Sequence, residues 1–228
     1  MEGFDAYDRH DAVGLAELVR RREVHPRDLV LAAISRIEAL DSTINAVVSR
    51  RFERALVEAE DVVLDGAPFA GVPILLKDLL VEEGEPVTFG SVFFRDHRGE
   101  VTGEFARRIR RAGFLRLGRT NTPEFGLLPT TEPILHGPTR NPWNLDHSPG
   151  GSSGGAAAAV AAGYLPLAQA SDGGGSIRIP ASCCGLVGFK PSRGLLPRSL
   201  ASPADHLSVE LAVSRTVRDT AAFFDAVA

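Results

Sequence analysis

Val72-Pro-Ile-Leu-Leu76, Thr102-Gly-Glu-Phe-Ala-Arg-Arg-Ile-Arg-Arg-Ala112 and Phe114-Leu-Arg-Leu117 follow one another in the middle of the chain. The outer two are short apolar runs of the kind that buried strands use, and the Arg-rich stretch between them reads as a helix. This β, α, β order predicts an α/β fold, a sheet with helices packed on it. On the N-terminal side, residues 1–66 read as a helical segment. Asp11 caps a helix over 12–22, and Pro26 starts a second whose Leu29, Ala33, Ile34 and Ile37 share a face up to Leu40. A short strand from Ala46 to Ser49 precedes a third helix from Phe52 to Leu64. On the C-terminal side, Asn121-Thr-Pro-Glu124 reads as a capped turn. The stretch 129–155, rich in Pro, Gly, Asn and Ser, reads as a long loop, and such loops inside a domain are usually functional. An Ala-rich helix (154–162), a strand near Leu165–Ala170, a glycine loop and a helix from Val217 to Ala228 complete the chain.

The 228 residues suit one domain or two small ones, and 44% hydrophobic with 24% charged residues is an ordinary globular mix. A net charge of −4 supplies no general field for nucleic acid or anionic lipid. The acidic, polar N-terminus resembles neither a secretory signal nor a transit peptide. Ser148 to Ser171 carries no charge, yet it opens on Gly and Ser, depends on Ala and contains Pro166, so it does not read as a membrane span. Cys183 and Cys184 are adjacent and cannot take ordinary disulfide geometry, which fits a reducing, cytoplasmic setting. His10, His25, His97, His136, His147 and His206 show no ligand spacing, so no metal is expected. Neither GxxxxGK nor a strand-borne GxGxxG occurs, and no cofactor is expected.

One count is more informative. Of 25 basic residues only Lys77 and Lys190 are lysines, and the other 23 are arginines. Arg cannot give up its proton and Lys can. Lys77 follows an apolar strand, at the sheet end where sites often begin. Burial there depresses an ammonium pKa and leaves an amine able to act as a base. The competing reading is a snorkelling lysine paired with Asp78 or Glu82. In Ser171-Asp-Gly-Gly-Gly-Ser-Ile-Arg178, Gly173, Gly174 and Gly175 can turn their N–H groups to one point, with the Ser176 hydroxyl beside them. That arrangement suits an oxyanion hole with a nucleophile, or equally a tight turn or a phosphate-binding helix start. Gly150-Gly-Ser-Ser-Gly154 matches GxSxG, but the proline-broken stretch before it is no strand and Asp205–His206 is a thin partner pair, so a nucleophile elbow is rejected. Cys184, Trp143 and Phe125 read as packing residues.

Together, Gly150–Ala162 (GGSSGGAAAAVAA), Asp172–Ala181 (DGGGSIRIPA) and Cys184–Pro191 (CGLVGFKP) resemble the amidase signature family. GVPILLKDL at 71–79, GRTNTPEFG at 118–126 and GPTRNPWN at 137–144 extend the likeness. The wording around 171–188 is similar to that of general amidases and cyclic oligoamide hydrolases. Arg119 departs from the pattern, standing where the family often has lysine.

The resemblance implies a mixed twisted sheet flanked by helices on both faces, with 67–228 as the N-terminal part of a larger catalytic core. It implies a Ser–cis-Ser–Lys triad of Ser176 as nucleophile, Ser152 as bridging serine after a cis peptide, and Lys77 as base. Gly173, Gly174, Gly175 and Ser176 are implied as the oxyanion hole, with Ser153 supporting Ser152. Asp172 and Arg178 are expected to brace the loop, a substrate-carboxylate clamp at Arg178 being the sharper alternative. The expected reaction is hydrolysis of a small, linear amide through an acyl-enzyme to a carboxylic acid and ammonia or an amine. Two alternatives remain open: an inactive amidase fragment, and the transamidating subunit of a tRNA-dependent amidotransferase. Neither nucleic acid nor membrane is an expected partner, while a homodimer or a missing C-terminal half stays open.

Overall fold

The computed structural model describes residues 4, 6–62, 66–197 and 207–228. Its elements in order are α1 (Ala12–Arg20), α2 (Pro26–Ile44), β1 (Val47–Arg50), α3 (Phe52–Glu58), β2 (Pro73–Lys77), α4 (Glu104–Arg111), β3 (Leu115–Thr120), α5 (Gly154–Ala161), β4 (Leu167–Asp172), α6 (Arg178–Cys184), β5 (Val187–Gly188), β6 (Val209–Ser214) and α7 (Val217–Val227). The strands form two three-stranded sheets, ordered β1-β3-β2 and β4-β6-β5. The first is mixed: β2 runs parallel to β3 and β1 antiparallel to it. The second is antiparallel throughout.

The α/β class expected from the β2–α4–β3 stretch is present, but its sheet is divided in two. β2 lies against β4 without a named backbone ladder between them. Helix α5 packs on β2, β3, β4 and β6, and so spans both sheets. Its sequence, Gly-Gly-Ala-Ala-Ala-Ala-Val-Ala, allows this close approach: a Cβ at Gly155 would lie 2.4 Å from Asn121 N. Within the first sheet, Gly118 has φ +148, and a Cβ there would meet Ser49 O at 1.9 Å where β3 pairs with β1. Side-chain size therefore sets how near α5 comes to the first sheet at Gly155 and how near β1 comes to β3 at Gly118.

Local signals account for most boundaries. Asp11 caps α1 by accepting from Gly14 N at 2.9 Å, and α2 starts on Pro26 and ends at Asn45 with φ 55. That end lies beyond the expected Leu40. Helix α3 stops at Glu58, and the expected continuation to Leu64 falls partly outside the described residues. The 121–124 turn has no side-chain cap, and a single 3-10 turn, Glu124–Gly126, follows Pro123. Strand β6 and helix α6 had no counterpart in the sequence reading, and Asp205–His206 lies outside the described residues.

Helix α7 closes the fold against α1, α4 and β6. Phe223 meets Phe105 and Phe114 edge-on at 6.2 and 5.7 Å, burying rings worth about 1.5–3 kcal/mol each. Asp219, fully buried on α7, accepts Ala12 N at 2.8 Å and Val13 N at 3.0 Å. A carboxylate from one end of the chain thus satisfies first-turn donors of a helix at the other. Asp219→Ala should lower the unfolding free energy by about 1–3 kcal/mol in urea titrations. A change below about 0.5 kcal/mol would show that these bonds do not hold α1 in place.

Candidate active site

Lys77 ends β2 with 1% of its surface exposed. Its Nζ donates to Ser152 Oγ at 2.7 Å and to Ser171 Oγ at 3.1 Å. The amine thus meets two hydroxyls, and the snorkelling reading fails. Asp78 turns away to accept from Thr88 N and the Thr88 hydroxyl. Glu82 takes the guanidinium groups of Arg110, Arg116 and Arg119. Burial drives the Lys77 pKa down to about 7, against the opposing pull of Glu210 and then Asp172. Near neutrality the amine is poised between its two protonation states.

Ser152 is buried and follows a cis Gly151–Ser152 peptide. The loop that carries it is held from below: Thr131 Oγ1 donates to Gly150 O at 2.9 Å and accepts Gly154 N at 3.1 Å. Gly126 passes close above, where a Cβ would sit 3.2 Å from Ser152 Oγ. Ser153 does not support Ser152 in the expected way. Its hydroxyl donates to Ser171 O at 3.2 Å, toward β4, while its N–H donates to Ser176 O at 3.2 Å. It thereby ties the Ser152 loop, β4 and the Ser176 turn together.

Asp172, fully buried at the end of β4, organises the glycine loop. Its carboxylate accepts Gly175 N at 2.7 Å and Ile177 N at 3.2 Å. Arg178 grips the same carboxylate with Nε at 2.8 Å and Nη2 at 3.0 Å. Burial raises the Asp172 pKa, but these donors overcome it and hold the carboxyl below its ordinary value. The expected oxyanion set is corrected at Gly175, whose N–H faces Asp172. One N–H edge of the Arg178 guanidinium, Nε and Nη2, is directed at Asp172, the geometry of a loop brace.

Other expectations resolve differently. Burial pushes the Cys184 thiol up to about 12, in keeping with a packing residue. Trp143 and Phe125 are not in the core, with 75% and 46% of their surfaces exposed. The Trp143 indole N–H donates to Cys184 O, which fixes the ring at the surface beside an open apolar groove of about 410 Å³ that shares no residue with the Lys77 seam. Arg119 is buried against Glu82 and Leu80 O, a structural anchor on β3. No group of His, Cys, Asp and Glu among the described residues could hold a metal. No helix among them is long and apolar enough to cross a membrane.

The sequence reading missed Gln169 and Ser171, which contact Lys77 from β4. A signal existed: they are polar residues two apart in a strand that is otherwise Leu and Ala up to Asp172, hence on one face.

The pattern of the family described as Amidase matches residues 28–228, and the chain belongs to that family, the amidase signature enzymes. It is 47% identical over 224 residues to a 6-aminohexanoate-cyclic-dimer hydrolase from Paenarthrobacter ureafaciens, covering 95% of this chain and 45% of the relative. A lipoamidase from Enterococcus faecalis is 44% identical over 220 residues, which is 96% of this chain and 30% of that protein. A solved structure of a 6-aminohexanoate cyclic dimer hydrolase superposes with a TM-score of 0.91 at 45% identity, over 96% of this chain and 46% of the other. The chain spans less than half the length of these relatives.

The depressed Lys77 pKa has a consequence for stability. Below about pH 7 the amine is charged in both folded and unfolded chains, and its burial penalty is fully present. Between about 7 and 10.5 the unfolded chain binds the extra proton, so stability rises with pH. Lys77→Met should therefore gain most, relative to the unaltered chain, at about pH 6 and lose that advantage by about pH 9–10 in urea titrations. A difference independent of pH would mean that Lys77 stays charged in the fold.

Proposed function

We propose that this chain carries the acylation centre of an amide hydrolase. The observation that supports it is the buried Lys77 amine, poised near neutrality and 2.7 Å from Ser152 Oγ. Neutral Lys77 takes the Ser152 proton as Ser152 takes the Ser176 proton, and Ser176 Oγ attacks the amide carbonyl carbon. The carbonyl oxygen becomes an oxyanion, held by the N–H groups of Gly173, Gly174 and Ser176. Run backwards, the relay delivers the proton to the departing nitrogen as the C–N bond breaks, leaving an ester on Ser176. Water, deprotonated through the same two groups, then releases the carboxylic acid and restores the hydroxyl.

Asp172 and Arg178 shape the glycine loop and do not touch the reacting atoms. The substrate class in this reading is a small amide, linear or, as a relative's name suggests, cyclic. The electrophile comes entirely from the substrate, and the proton steps need no cofactor. The neighbouring Cys183 and the buried Cys184 are free thiols, which suits a reducing compartment.

Labelling by a serine-directed fluorophosphonate, read by mass, tests this reading on the chain itself. Ser176→Ala should abolish the adduct, and Ser152→Ala and Lys77→Ala should each slow it by about 10²–10⁴-fold. Full labelling after Ser176→Ala would overturn the assignment.

A further inference from the structure

Lys77 has hydroxyls in front of it and a second polar layer behind. Gln169 and Ser171, two apart on β4, leave the strand on the same side. In the β4–β6 register Ser171 stands opposite Glu210, and Gln169 opposite Ala212. Glu210 therefore shares that side and lies diagonal to Gln169. Gln169 Nε2 donates to Glu210 Oε2 at 2.6 Å, and Gln169 Oε1 accepts Lys77 N at 2.8 Å. The amide cannot be reversed, because an ionised carboxylate only accepts and the Lys77 main-chain N–H only donates. A single side chain thus links the second sheet to the end of β2 where the two sheets have no named ladder.

We propose that Glu210 is a positioning residue for Lys77, which through Gln169 fixes the end of β2 in front of Ser152 and turns a negative charge toward the buried amine. This rests on the reading of Lys77 as the base. Burial alone would leave the amine neutral but too weak to draw a proton from a serine. A nearby carboxylate restores part of its proton affinity, and Glu210 is the leading charge that does so, ahead of Asp172. Asp172 on β4 also holds the glycine loop through Gly175 N and Ile177 N, so its removal would disturb that loop. The remaining charged groups face elsewhere: Asp78 is held by Thr88 with His136 nearby, and Arg119 on β3 is tied to Glu82. Helix α5, which packs on β2, has no charged residue; on α2, which also packs on it, Asp41 accepts Ala46 N, Arg27 pairs with Glu60, Arg36 with Asp8, and Asp28 and Glu38 are exposed. Glu210 is thus the group whose removal changes the amine with least disturbance of the loop.

The two-lysine composition makes the test direct. With ¹³C-labelled lysine the chain gives one side-chain signal from Lys77 and one from Lys190, assigned by Lys190→Arg. The Lys77 signal should titrate with a midpoint at about 7. Glu210→Gln should lower that midpoint by roughly half to one pH unit, and the rising limb of Ser176 acylation should move down with it. Glu210→Asp, which keeps the charge but shortens the reach, should move it by less than half as much. An unchanged or raised midpoint in Glu210→Gln, or equal movement in both variants, would overturn the proposal. Failure of the underlying reading looks different: Ser176 would acylate at full rate in Lys77→Ala, whatever Glu210 does to the midpoint.

Discussion

The site depends on removing one ammonium group from water. Lys77 sits where β2 of one sheet meets β4 of the other, and its amine is enclosed by Ser152 and Ser171. An isolated charge in such a place is strongly disfavoured, so the protein must either pair it or let it lose its proton. The chain takes the second course. Asp78 is held by Thr88, Glu82 by three arginines, and Asp172 by Arg178 and the glycine loop. Glu210, ahead of Asp172, pulls the amine partly back toward its charged form.

The surrounding architecture serves this arrangement. Helix α5 can approach both sheets because its residues are small, and its N-terminal end carries Ser152 and Ser153 into the seam. Ser153 then joins β4 to the Ser176 turn, through its hydroxyl to Ser171 O and its N–H to Ser176 O. Four segments distant in sequence, around 77, 131, 152 and 172, are therefore positioned against one another by short side chains. Arginine could not replace Lys77 here, since its guanidinium keeps its proton and needs more acceptor partners than two hydroxyls supply.

Much of this was legible in the sequence, and the parts that were not have physical reasons. The β2–α4–β3 order, the Asp11 cap and the Pro26 start are local signals, and local signals survive into the fold. Lys77 stood out because a deprotonatable base is rare in an arginine-rich chain. Strand β6 was missed because its six residues pair only with β4 and β5, a long-range relation with no local period to reveal it. Gly175 and Ser153 were placed in the right loops with the wrong partners. Which way an N–H or a hydroxyl turns is decided by Asp172 and Ser171, and spacing alone does not carry that. Trp143 and Phe125 were assigned to the core on hydrophobicity, yet large apolar residues are often exposed, and here a hydrogen bond anchors the indole at the surface.

The central claim is that a neutral Lys77 starts the proton relay to Ser176. Its most direct test is the rate of Ser176 acylation against pH in the unaltered chain and in Lys77→Arg. The account predicts a rate that climbs through one ionisation near about pH 7 in the unaltered chain and, in a folded Lys77→Arg chain, a rate at least about 10²-fold lower without that ionisation. Equal rates, or the same pH profile in both, would contradict it.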